Sequence, residues 1–151
     1  MANISLQDLY IDILETVRGN FIEGESTQQE NFLDYISPYL AQDADITEPV
    51  YGFWESKSSG KNVEISGCSR DEERKLLTLI GCEFFNDENI QTVTKELYER
   101  KFKSLRNFLS LATDTDNPLY ASMTAADPAS EVARIVFENY HNAQNVEFFL
   151  L

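Results

Sequence analysis

The segment KLLTLIGCEFF, residues 75–85, constrains the architecture most. Its apolar residues fall on both odd and even positions, so an extended strand of this sequence presents apolar side chains to both faces. Such a strand predicts a sheet covered by helices on each side. The preceding NVEISGCSRDEER, residues 62–74, is a second apolar strand ending in a charged tip. Together they predict a hairpin turning near Glu72. That turn sets Cys68 opposite about Leu77 and Cys82 opposite about Val63, so the two cysteines do not face each other. Reduced, buried thiols are expected. Two cysteines and one histidine do not make a zinc site.

Helical patterns flank the hairpin. In ISLQDLYIDILETVRGNF, Ser5 and Asp8 form a capping pair, and Leu6, Leu9, Tyr10, Ile13, Leu14 and Val17 follow helical spacing. STQQENFLDYISPYL begins a second helix with Ser26 and Gln29 as its capping pair; Pro38 is expected to kink or end it. Residues 41–62 read as an acidic loop with an extended piece at Tyr51 to Trp54, and SKSSGKN as a turn. A helix capped near Thr94 buries Leu97, Tyr98, Phe102, Leu105, Phe108 and Leu109. Asp127-Pro128 opens a further helix, ASEVARIVFENYH, as cap and first-turn proline. The closing NVEFFLL is a strand expected to enter the sheet beside the hairpin. The order predicts a single α/β (α+β) domain over residues 1–151, a mixed β-sheet flanked by helices. An apolar strand in the last seven residues suggests a domain of a longer protein.

Charge narrows the function. The formal net charge is −14, which opposes nonspecific attraction to nucleic acid at long range. No apolar run approaches the roughly 20 residues that span a bilayer, and no basic-then-apolar leader opens the chain. A soluble, cytoplasmic protein with no membrane partner is expected. Five of the 12 cationic residues, Lys95, Arg100, Lys101, Lys103 and Arg106, crowd one helix. On a helical wheel Lys95, Lys103 and Arg106 cluster, which marks them as the route for any nucleic-acid contact. Glu96 and Glu99 intervene, so a solvated face with internal ion pairs is the competing expectation.

The run ISGCSRDEERKLLTLIGCEFF, then KFKSLRNFLSLA, then SEVARIVFEN and NVEFFLL, resembles the N-terminal domain of the abortive infection phage resistance (AIPR) family. The resemblance covers nearly the whole chain and implies a PD-(D/E)XK nuclease-like, restriction-endonuclease-like core. In that pattern one strand carries Asp-Gly, and the next carries Glu or Gln, any residue, then Lys. The two oxygen ligands converge on Mg²⁺ or Mn²⁺, and the Lys shares their face by strand periodicity. Here Ser66 stands at the Asp position before Gly67, Gly81 at the Glu/Gln position and Glu83 at the Lys position. A hydroxyl and a hydrogen atom do not replace two oxygen ligands, so the catalytic motif at Ser66, Gly81 and Glu83 is degenerate and no cofactor is expected.

Glu64 shares the face of Ser66, and Glu83 that of Gly81. With Glu15 of the first helix nearby, Glu64 and Glu83 form a candidate migrated site for Mg²⁺ or Mn²⁺; the competing expectation is two carboxylates at wetted strand ends. Three readings follow. The chain is a degenerate nuclease-fold domain of a phage-defence protein, acting as scaffold, sensor or interaction module with protein partners or a downstream domain. Alternatively it is a metal-dependent nuclease with moved ligands, or an acidic cytosolic interaction domain unrelated to defence.

Overall fold

The computed structural model describes residues 5–19, 28–43, 46, 48–58, 60–83, 89 and 92–151. Three strands are consecutive, β1 (Val50–Ser58), β2 (Lys61–Asp71) and β3 (Leu76–Gly81), and β4 (Asn145–Leu150) returns at the end of the chain. They form one sheet in the order β1-β2-β3-β4. The first two pairings are antiparallel, while β3 and β4 run parallel. A parallel pair requires a long crossover. It is supplied by α3 (Lys95–Ala112), α4 (Leu119–Ser122) and α5 (Ser130–Tyr140). Two helices, α1 (Leu6–Gly19) and α2 (Gln28–Asp43), precede the sheet.

β3 carries the two-faced burial that its sequence demands. Leu77 and Leu79 join a cluster with Leu105, Phe108, Ala112, Val132 and Val136 of α3 and α5. Ile80, of opposite parity, joins Leu40 of α2 and Ile46. β4 divides in the same way: Val146 and Phe148 pack on the first cluster, Phe149 and Leu151 on the second. Parity thus assigns side chains to layers, and the helices cover both. Cys68 and Cys82 are buried free thiols, each pushed up to about 12 chiefly by burial.

The α3 cap is as expected, with Thr94 Oγ1 accepting the Leu97 amide at 3.2 Å. Ser5 accepts the Asp8 amide at the start of α1. The Ser26–Gln29 pair lies outside the described residues and side chains. Pro38 sits inside α2 and does not end it.

Three expectations are corrected. The stretch read as loop and turn is mostly strand: β1 continues to Ser58, and Ser58 already pairs with Lys61. Ladder hydrogen bonds come from the backbone, so the polar residues of this edge strand do not prevent it from forming. The turn is confined to the vicinity of Gly60, whose φ of +77° suits a residue without Cβ. Second, α5 starts at Ser130 with Ala129 as its cap and no side-chain cap bond, so Pro128 precedes the helix. Third, the β2–β3 turn is longer than expected. Asp71 pairs with Leu76 and Cys68 with Leu79, leaving Glu72–Lys75 as the loop, with Lys75 at φ +49°. The shift is two residues, so every side chain keeps its expected face.

Gly52 is where β1 meets the approach to α5. A Cβ there would press into the carbonyl oxygen of Pro128 and come 2.8 Å from its carbonyl carbon. Both obstacles are backbone. Gly52→Ala is therefore expected to cost about 1–3 kcal/mol, read as a lower urea midpoint with an unchanged m-value.

Candidate functional site

The β2–β3 ladder ends at Gly67↔Ile80; Ser66 and Gly81 are the next residues of the two strands, and Glu64 and Glu83 lie two positions further along each. α3 lies across this part of the sheet, and its buried residues Lys101, Ser104, Leu105, Phe108 and Ala112 recur at helical spacing. One of the five is a lysine. Its ammonium is 2.6 Å from Glu64 Oε1 and 2.7 Å from Glu83 Oε2, and it donates a longer bond of 3.4 Å to the Cys82 carbonyl. The Lys101 and Glu64 side chains are each only 10% exposed, that of Glu83 27%. Strand β2, the end of β3 and helix α3 are thus tied at one nitrogen.

Two carboxylates against one ammonium leave an excess negative charge in a mostly desolvated place. Burial pushes the Glu64 carboxyl up, and the hydrogen bond and charge of Lys101 only partly offset it; Glu55 and Glu83 push it further. Glu55 lies directly across the β1–β2 ladder from Glu64. For Lys101, burial works to lower the pKa, but its bonds to Glu64 and Glu83 prevail and the net shift is upward. The two directions agree, because one cation shared between two anions is held doubly while each anion receives only part of it. A recess of about 370 Å³ opens on the triad, lined also by Glu55, Asn62, Arg100 and Ser104.

Ser66 and Gly81 are the two positions at which the family resemblance implies oxygen ligands. The Ser66 hydroxyl is fully buried and, among the described residues, has no hydrogen-bond partner. A Cβ on Gly81 would stand 3.2 Å from Leu105 Cδ1 and 3.4 Å from Leu150 Cδ1, so a Glu or Gln there would enter leucine side chains. Glu64 and Glu83 are held together by the ammonium of Lys101. Glu15 lies exposed on α1, a helix that packs chiefly on α2. Among the described residues, no group of three or more His, Cys, Asp or Glu side chains is placed to hold a metal ion. Mg²⁺ or Mn²⁺ seeks several hard oxygens at about 2.1 Å. Here an ammonium already takes one oxygen from each carboxylate, so with Lys101 in place these oxygens are not free for such an ion.

The basic residues of α3 engage acidic and aromatic neighbours. Lys95 pairs with Glu99 at 3.7 Å, while Lys103 and Arg106 join Arg100, Phe102 and Phe148 along a shallow groove that Glu96 and Glu99 also line. Sequence reasoning missed Lys101 as a site residue. The signal was its place on the apolar stripe of α3, four residues before Leu105.

Cutting a buried ion pair on one side leaves uncompensated charge. Lys101→Met is accordingly expected to cost about 3–5 kcal/mol. Glu64→Gln, which keeps an acceptor for Lys101 and removes the excess charge, should cost about 1 kcal/mol or less. Urea unfolding of the two variants checks the contrast. In the wild type, the raised Lys101 pKa contributes stability that is complete below its ordinary value of 10.5 and is lost as pH rises through the folded-state value. A urea midpoint that declines above that pH, with this component missing from Lys101→Met, is the expected profile.

A family model described as the abortive infection phage resistance protein N-terminal domain matches residues 32–151 of this chain. Comparison with curated proteins and with solved structures found no match. The matched span contains Glu64, Glu83 and Lys101, and it leaves α1 with Glu15 outside.

Proposed function

Because the chain belongs to the abortive infection phage resistance N-terminal domain family, we propose that this phage-defence domain is catalytically silent, a restriction-endonuclease-like frame acting in the cytoplasm as a scaffold, sensor or interaction module. One observation carries the reading: the positions at which the nuclease pattern needs its first two oxygen ligands are a buried serine and a glycine under Leu105 and Leu150. Hydrolysis by this pattern depends on a metal that lowers the pKa of its water. Neither the sealed positions nor the lysine-held carboxylates supply such a site.

The competing reading, a Mg²⁺- or Mn²⁺-dependent nuclease with ligands moved to Glu64, Glu83 and Glu15, gains support from the convergence of the first two. It loses it at Lys101, whose ammonium takes an oxygen from each, and at Glu15, exposed on a helix that packs chiefly on α2. Family membership sets aside an acidic domain unrelated to defence. Partners are expected to be proteins or a downstream domain of the same chain.

The test is cleavage. Labelled DNA and RNA, single- and double-stranded, are incubated with the purified protein and Mg²⁺ or Mn²⁺, beside Glu64→Gln and Glu83→Gln. Substrate is expected to remain intact throughout. Cleavage by the wild type that both variants lose would overturn the silent reading in favour of the moved-ligand nuclease.

A further inference from the structure

We propose that Lys101 is the resident cation of this site: its ammonium fills the oxygen cage that a divalent ion would otherwise occupy, and so makes the domain independent of metal. The inference rests on the reading above only in taking the wild-type site to use no divalent ion.

The cage is defined by Glu64 Oε1, Glu83 Oε2 and the Cys82 carbonyl oxygen, all within 3.4 Å of Lys101 Nζ. Two carboxylates and a backbone carbonyl are hard oxygen donors, the class that divalent cations of the Mg²⁺ and Ca²⁺ type select. They equally match the three N–H donors of an ammonium. A helix lysine ordinarily extends its head to water. Lys101 instead turns inward, with its side chain 10% exposed. What fixes the need for a cation is the pair Glu64 and Glu83: two carboxylate oxygens this near a common point repel unless positive charge stands between them. What fixes its identity is α3, which delivers a lysine at that point. The recess beside the triad gives a small ion a path to the cage, so shortening Lys101 should expose a site that Mn²⁺ can enter.

The experiment compares the wild type, Lys101→Ala, and Lys101→Ala combined with Glu83→Gln, each stripped of metal and titrated with Mn²⁺ while its thermal unfolding is followed. The wild-type Tm is expected not to respond. For Lys101→Ala, a saturable rise of roughly 5–10 °C is expected at a hundredfold excess of Mn²⁺ over its dissociation constant, reversed by chelator. The double variant, with one carboxylate neutralised, should lose most of that rise. If Lys101→Ala does not fold alone, the same result is read as refolding that requires Mn²⁺. The proposal is overturned if Lys101→Ala, folded or unfolded, ignores Mn²⁺. It is equally overturned if the double variant responds as strongly as the single one, or if the wild type is stabilised to the same extent. The two readings fail separately, since cleavage by the wild type counts against the silent reading, and the Mn²⁺ response of Lys101→Ala decides this one.

Discussion

The ammonium of Lys101 is the point on which the local structure turns. Its bonds to both glutamates are what reconcile them with a desolvated position between sheet and helix. Without a counter-charge, Glu64 and Glu83 would have to protonate, separate or draw in water. The triad therefore acts on packing as much as on charge. It fixes the rotation of α3, which in turn aims Leu105 at Gly81 and Phe108 at the sheet cluster. A buried ion network is weak evidence for net stability, because desolvation offsets much of the attraction. Its better-supported effect is specificity: only one placement of α3 puts Lys101 between its partners.

β3 supplies the second constraint. As a central strand apolar on both faces, it requires one helical layer over Leu77 and Leu79 and another over Ile80. The crossover through α3, α4 and α5 meets the first requirement and carries the chain to a parallel β4. α2 meets the second. The same crossover delivers Lys101 to the end of β3 and, through β4, places Leu150 over Gly81. The packing of Leu105 and Leu150 against Gly81 is thus a consequence of how the sheet is covered.

Much of this was legible from residue order. Period-two alternation identified β2 and β3, the double-sided apolar run made β3 central, and Thr94 marked the start of α3. Membership in a phage-defence family was readable too, from the pattern that runs from Ile65 to the final strand. The polar half of β1 was not legible, because an edge strand gains its ladder from a neighbour and needs no apolar alternation of its own. The start of α5 was misread for a similar reason. Asp127-Pro128 has the composition of a helix opening, but Pro128 is instead packed with its carbonyl against Gly52.

The sequence by itself determined most of the elements and the two-faced burial of β3, since each is a property of residue type and period. Tertiary structure alone decided what the remaining carboxylates do. The loop at Glu72–Lys75 is two residues longer than a tight hairpin, and past the end of the ladder at Gly67↔Ile80 it is helix α3 that brings a cation to Glu64 and Glu83. Lys101, indistinguishable in composition from the exposed Lys103 two residues on, then meets both. Register and helix rotation are set by contacts between residues distant in the chain, 37 positions apart for Lys101 and Glu64. Local pattern places Lys101 on the apolar stripe of α3 but does not say which distant residues it meets there.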